Sequence, residues 1–140
     1  MASAKATVDL DESSDDVWQL IGGFGSLPDW LPYIPKSELT DGGRVRQLEN
    51  PNGEPIVERL EKFDSAGRSY SYSILKAPFP VVDYLGTISV TAGKDGKGSH
   101  VEWACTFTPN GASDLEAQKV FQGIFSDGLE ALSDRYAAKR

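Results

Sequence analysis

The sequence predicts an α+β domain in which a long antiparallel sheet curves around one C-terminal helix. Apolar and polar residues alternate in short runs as far as about residue 108, which is typical of half-buried strands. Turn residues separate these runs, and a helical apolar stripe follows them. Only a sheet curved around that last helix buries both apolar faces without a second domain, so residues 1–140 are predicted to form one domain.

The N-terminal part predicts one strand and then two short helices. Residues 4–11 alternate and form the first strand. A cap at Ser13 or Ser14, followed by acidic residues in the first turn, begins a helix that the glycines at 22–23 end. The proline-rich segment after it allows only a short helix, at about residues 28–31.

The middle of the chain predicts an antiparallel meander, because glycine- and asparagine-rich turns separate alternating runs. We place its strands at residues 44–49, 55–63, 69–76, 82–92 and 99–108. The total is six or seven strands.

The last helix is predicted from residue 113 to about residue 138. Its apolar stripe consists of Leu115, Val120, Phe121, Ile124, Phe125, Leu129, Leu132 and Tyr136. Gly123 and Gly128 also lie within it, where each costs about 1 kcal/mol relative to Ala. They indicate either close packing on the sheet or a patch without side chains that leaves room for a ligand.

The amino-acid composition disfavours several classes of function. With 39% hydrophobic and 25% charged residues the chain is typical of soluble domains, and no run is long enough to cross a membrane. The acidic N-terminal segment does not look like a secretion signal, so we expect a cytoplasmic protein without membrane insertion. A net charge of -7 disfavours nucleic acid. With one cysteine, Cys105, and one histidine, His100, we expect no metal site and no cofactor.

The strand at residues 69–76 points to a cavity. Tyr70, Tyr72 and Ile74 share one face and serines occupy the other. Because a buried tyrosine hydroxyl needs a hydrogen-bond partner, two such hydroxyls indicate a polar-lined cavity. Tyr72 and Tyr84 are equally compatible with core tyrosines that bond to backbone carbonyls.

Arg46 and Glu58 would enter that cavity together if the strand faces with Leu48 and Ile56 point inward. Buried side by side, they would pair, either as a structural ion pair or to orient a ligand. Glu58 could act as a general base and Arg46 could stabilise an enolate or alkoxide. Tyr72 and Tyr84 could donate to a carbonyl oxygen. This catalytic group needs no cofactor.

Apolar residues in proline-rich loops would surround one end of the cavity. They are Trp30, Leu31, Tyr33, Ile34, Phe79, Val81 and Val82. Such residues form either an entrance gate or a plug. We favour a plug for Trp30 and a gate for Phe79, Val81 and Val82.

Several segments together resemble one known family. They are residues 17–25, 30–33, 36–37, 57–61, 71–74 and 83–84. The chain resembles the polyketide cyclase/dehydrase-like branch of the SRPBCC or START (birch-pollen-allergen-like) superfamily, from about residue 8 to residue 136. The resemblance implies a helix-grip fold, with seven antiparallel strands around the C-terminal helix and a cavity for a small apolar or amphipathic molecule. Members include polyketide cyclases, lipid carriers, hormone receptors and hydroxynitrile lyases.

The resemblance also implies site residues. The positions that match ligand-facing residues of the hormone receptors are Glu58, Tyr84, Glu102, Val120, Ile124 and Gly128. Leu31 replaces the carboxylate-binding lysine of those receptors. Arg46, Tyr72 and Tyr84 match reacting-centre positions of the lyases. For Glu102 the two predictions conflict, because the alternation of its own strand places it on the face opposite Trp103.

We therefore expect a protein, monomeric or homodimeric, that encloses a small hydrophobic, aromatic or polyketide-like molecule. Arg46, Glu58, Tyr72 and Tyr84 would carry cofactor-independent cyclisation, dehydration or lyase chemistry. The ligand-binding residues would be Trp30, Tyr70, Phe79, Val82, Glu102, Val120, Ile124 and Gly128. One alternative is a non-catalytic carrier or sensor, and another is an interaction module with a collapsed cavity.

Overall fold

The computed structural model describes residues 2–139, apart from the side chain of Asp95. The elements are β1 (Ala2–Leu10), α1 (Ser14–Ile21), α2 (Leu27–Trp30), β2 (Lys36–Thr40), β3 (Val45–Glu49), β4 (Pro55–Asp64), β5 (Ser69–Lys76), β6 (Val81–Ala92), β7 (Ser99–Pro109) and α3 (Asp114–Ala137). None of the helices in this range combines the length and the apolar character that crossing a bilayer requires.

The seven strands form one antiparallel sheet in the order β1-β7-β6-β5-β4-β3-β2. The predicted α+β class and order of elements are confirmed. Strand β2 has no counterpart among the strands placed by periodicity, because Leu39 is the one apolar residue in Lys36–Thr40. It joins the sheet as an edge strand through backbone pairing with β3.

Serine caps begin both longer helices. The side chain of Ser13 accepts a hydrogen bond from the backbone N–H of Asp16 at the start of α1. Ser113 accepts one from the N–H of Glu116 at the start of α3, and its hydroxyl donates to the Glu116 carboxylate. These bonds satisfy N–H groups that have no partner within the helix.

Helix α3 packs on the sheet with a narrower stripe than predicted. Its buried face comprises Ala117, Phe121, Phe125, Gly128, Leu129, Leu132 and Tyr136. Leu115 and Val120 are 59% and 38% exposed, so their assignment to the buried stripe was wrong. At 3.6 residues per turn both lie to the side of the line through residues 117, 121 and 128.

The two helical glycines have different surroundings. A Cβ atom at position 128 would lie 2.7 Å from the Tyr33 hydroxyl and 2.9 Å from both Leu31 Cδ2 and Trp103 Cζ3. Gly128 is therefore required by close packing and leaves no open patch for a ligand. A Cβ atom at position 123 would meet nothing within 4 Å.

A β-bulge in β6 reverses the predicted orientation of Val82. Val82 is opposite Thr108 and Leu85 is opposite Thr106, so two residues of β6 face one residue of β7. Asp83, in the bulge, has a φ of 53°. Val82 is consequently 42% exposed although Tyr84, two residues further on, is buried.

We expect Gly128→Ala and Gly123→Ala to change stability in opposite directions. Overpacking against Tyr33, Leu31 and Trp103 should lower the free energy of unfolding of the first variant by about 1–3 kcal/mol. The second should gain up to about 1 kcal/mol, because Ala restricts the unfolded chain and favours a helix. Urea denaturation of both variants measures the difference, and an equal effect at the two positions would contradict the packing role of Gly128.

Candidate functional site

A cavity of about 230 Å³ lies between the sheet and α3. Its wall consists of Leu27, Leu31, Tyr33, Ile34, Arg46, Leu48, Asn50, Pro51, Ile56, Glu58, Tyr72, Ile74, Phe79, Tyr84, Trp103, Phe121 and Ile124. Most of these side chains are apolar. Pro51 is exposed, and Asn50 and Phe79 are partly exposed, so the mouth lies beside the β3–β4 turn. A collapsed cavity is thus wrong for this chain.

A buried ion pair occupies one part of the wall. Arg46 and Glu58 are direct partners in the β3–β4 register, and both side chains point to the concave face of the sheet. The Arg46 Nε donates to Glu58 Oε1 at 2.8 Å, and Nη2 lies at the same distance from Oε1. The side chains are 1% and 9% exposed, so water screens this pair weakly.

The rest of the guanidinium is held by neutral groups. Its Nη1 donates to the backbone oxygen of Phe24 and to the Tyr70 hydroxyl, each at 3.1 Å. The guanidinium carbon lies 4.3 Å from the centre of the Phe24 ring and 4.7 Å from that of Tyr72. Burial by itself would lower the pKa of Arg46, but Tyr70, Glu58 and Tyr72 raise it above its ordinary value. Arg46 therefore stays charged.

One carboxylate oxygen of Glu58, Oε2, has no hydrogen-bond partner among the described residues. Both contacts with Arg46 go to Oε1, and among residues 2–139 no hydrogen bond reaches Oε2. Burial raises the pKa of the Glu58 carboxyl above its usual range, and the charge and hydrogen bond of Arg46 offset only part of the rise. Glu58 thus has a free acceptor oxygen at the cavity and an elevated proton affinity.

A chain of polar groups crosses the wall beside the ion pair. Trp103 Nε1 donates to the Tyr72 hydroxyl at 2.9 Å, and the hydroxyls of Tyr72 and Tyr84 are 3.3 Å apart. An indole N–H can only donate, so the oxygen of Tyr72 is its acceptor. The two phenols carry two protons and one hydrogen bond joins them, so one O–H remains for another acceptor. The Tyr84 hydroxyl is also within hydrogen-bonding reach of the Cys105 sulfur, which is a weak acceptor that a ligand carbonyl oxygen would replace.

Both phenols are neutral. Burial is the largest cause that raises the pKa of Tyr72 far above its ordinary value, and the charge of Glu58 adds to it. Burial likewise raises the pKa of Tyr84, with Tyr72 as the next contributor. Burial also raises the pKa of the Cys105 thiol to about 11, so the thiol is protonated.

Six of the twelve residues predicted for the site line the cavity. They are Arg46, Glu58, Tyr72, Tyr84, Phe79 and Ile124. The structure brings the first four together at one end, as strand alternation in β3, β4, β5 and β6 implies. Phe79 lies near the mouth, edge-on to Phe121 with ring centres 5.2 Å apart. Their roles in binding or catalysis stay predictions.

Three of the other six face away from the cavity. Val82 is turned outward by the bulge at Asp83, and Val120 lies on the exposed side of α3. Glu102 is on the outer face of β7, where its carboxylate lies 3.8 Å from Lys5 Nζ. The alternation of β7, which points Trp103 inward, gave the correct face for Glu102, and the position taken from the receptor resemblance was wrong.

The remaining three are buried behind the wall. Trp30 is 3% exposed and rests on Trp103 with ring centres 5.6 Å apart, so it fills the core as a plug. Tyr70 supports Arg46 through its hydroxyl and touches Phe24 edge-on. Gly128 is covered by Tyr33, Leu31 and Trp103. None of the three is part of the cavity wall.

Trp103 is the main site residue that sequence reasoning missed. Alternation places it on the inner face of β7, but periodicity does not reveal that its N–H reaches Tyr72. Tyr33 is a second such residue, because its hydroxyl donates to the backbone oxygen of Ile124 at 2.7 Å while its ring lines the cavity. The described residues contain no group of three or more His, Cys, Asp or Glu side chains placed to hold a metal ion.

The chain is similar to a described protein family and to solved structures of other proteins. The family described as polyketide cyclase / dehydrase and lipid transport matches residues 1–137. The structure of the protein XoxI from Bacillus cereus is 55% identical, covers 98% of this chain and 96% of its own, and has a TM-score of 0.96. An uncharacterized protein from Bacillus thuringiensis is also 55% identical, with coverages of 97% and 99% and a TM-score of 0.95.

A more distant structure shows the fold alone. The START superfamily protein from Mycobacterium smegmatis is 11% identical, with full coverage of both chains and a TM-score of 0.79. The seven-stranded sheet wrapped on α3 is therefore a helix-grip fold. The family match over residues 1–137 shows that the chain belongs to the polyketide cyclase / dehydrase and lipid transport family.

Proposed function

We propose that this protein binds a small hydrophobic or aromatic carbonyl compound in its cavity and promotes cofactor-independent proton transfer at the carbon next to the carbonyl. One observation carries the proposal: a free carboxylate oxygen of Glu58 and a spare phenolic O–H of the Tyr72–Tyr84 pair lie in the wall of the same mainly apolar cavity. Membership of the family suggests a hydrophobic ligand in general terms.

The volume limits the size of the ligand. An engineered cavity of roughly 150 Å³ accepts benzene, and this cavity has about 230 Å³. A molecule of one or two rings fits this space. A longer polyketide chain would have to extend through the mouth beside Asn50, Pro51 and Phe79.

The proposed reaction is an enolisation. Glu58 Oε2 takes a proton from the carbon next to the carbonyl, and the electron pair of that C–H bond forms a carbon–carbon double bond. The carbonyl π electrons move to oxygen, where the spare tyrosine O–H stabilises the developing charge. Arg46 holds Glu58, a residue of the cavity wall, through Oε1 and leaves Oε2 free to act as the base. Cyclisation, dehydration and lyase reactions all begin from or pass through such an enolate or alkoxide.

A carrier or sensor is the second candidate. The observation that favours it is the commitment of Arg46 to Glu58, Phe24 and Tyr70, which leaves a wall made largely of aliphatic and aromatic groups. In a carrier the polar groups would only satisfy the polar atoms of the ligand. The two functions differ in whether Glu58 changes turnover or affinity.

We expect the protein to accelerate deuterium exchange at the methyl group of acetophenone in D₂O, and Glu58→Gln to lower that rate by about 100-fold or more. The glutamine cannot accept the proton, and a general base contributes about 10²–10⁴-fold. The measurement is loss of the methyl proton NMR signal over time.

The matched control for this experiment is Glu38→Gln, which removes the same charge at an exposed position of β2. It should exchange acetophenone like the unmodified protein. Chemical-shift titration shows in parallel whether acetophenone occupies the cavity. Binding without acceleration of exchange would contradict the catalytic proposal and favour the carrier.

The pH dependence of exchange gives a further prediction. Because burial raises the pKa of Glu58, kcat/KM should fall with decreasing pH along a limb whose midpoint lies above 4.5, the value of an unperturbed glutamate. The base is active only when ionised, so activity is lost below the raised pKa and retained above it. Glu38→Gln should keep the same limb, and a midpoint at or below 4.5 would exclude Glu58 as the base.

A further inference from the structure

The charges in the cavity wall sum to zero. Arg46 and Glu58 are the charged residues among those that line it, and they neutralise each other at 2.8 Å. Tyr72 and Tyr84 are neutral phenols. An anionic ligand would therefore leave water without gaining a net opposite charge, and burial of an uncompensated charge is strongly unfavourable.

The free polar atoms have a defined complementarity. Glu58 Oε2 can only accept a hydrogen bond when ionised, and the spare phenolic O–H of the tyrosine pair can donate one. A carboxylate ligand offers two acceptors, so its oxygens would be placed against Oε2. A neutral ligand with one donor and one acceptor satisfies both groups.

We propose that the site selects neutral ligands whose polar end carries an adjacent hydrogen-bond donor and acceptor, such as an amide, an enol or a hydroxy-ketone, and rejects carboxylates of the same shape. This inference rests on the proposed function, because it assigns the ligand class of the same cavity. Glu58 is then a specificity-determining residue as well as a candidate base. Arg46 contributes to this selectivity because Glu58 already neutralises its charge.

Three one-ring probes of nearly equal shape test the selectivity. Benzamide is neutral with a donor and an acceptor, acetophenone is neutral with an acceptor alone, and benzoate is an anion at neutral pH. Each is titrated against the protein, and the dissociation constant is taken from chemical-shift changes of residues in the cavity wall. We expect benzamide to bind at least about tenfold more tightly than benzoate, with acetophenone between them.

The variant Glu58→Gln should abolish or reverse the preference for benzamide over benzoate. It removes the negative charge but leaves Arg46 charged in the wall, so benzoate becomes the missing counter-ion. We expect its affinity for benzoate to rise at least about tenfold and its affinity for benzamide to stay equal or fall. The exposed Glu38→Gln should keep the preference of the unmodified protein.

The outcomes separate this inference from the proposed function. If benzoate binds to the unmodified protein as tightly as benzamide, selectivity for neutral ligands is overturned, although a cavity that binds aromatic molecules would stand. If none of the three probes shifts residues of the wall, the proposed function fails, and with it the inference. If Glu58→Gln does not fold, the comparison of benzamide with benzoate on the unmodified protein still decides the question.

Discussion

The burial of one charged guanidinium is the constraint on which the rest of the structure depends. Arg46 is 1% exposed, and an isolated charge in that position would be destabilising by several kcal/mol. Glu58, Phe24 and Tyr70 together satisfy it, and each comes from a different part of the chain. The β3–β4 register, the loop after α1 and the inner face of β5 are therefore fixed by contacts with a single side chain.

The same contacts also determine which polar atoms at the cavity remain available to a ligand. Because Nε and Nη2 of Arg46 both meet Oε1, the carboxylate of Glu58 is held while Oε2 has no partner among the described residues. Trp103 donates its N–H to the oxygen of Tyr72, and either phenol can donate to the other, so one O–H of the pair is available to a ligand. A ligand thus meets an acceptor and a donor at one end and apolar side chains elsewhere. Hydrogen bonds within the protein position these groups before any ligand enters, which favours a defined orientation.

Strand alternation predicted most of the polar end, and it failed where the backbone departs from regular geometry. Arg46, Glu58 and Tyr72 lie inward with the two-residue period of their strands, and Tyr84 lies inward with the regular part of β6 that follows the bulge. The prediction for Val82 is wrong because the bulge at Asp83 shifts the two-residue period of β6. For Glu102, regular alternation was a better guide than resemblance to relatives.

The sequence by itself determined the order of the elements apart from the edge strand β2, the helix caps and the inward face of each regular strand, because these depend on residues that are near neighbours in the chain. Tertiary structure alone decided the volume of the cavity, the free oxygen of Glu58, the bond from Trp103 to Tyr72 and the tight fit at Gly128. The physical reason is that periodicity reports the direction of a side chain but not its distance from groups on distant segments. Those distances follow from the curvature of the sheet around α3.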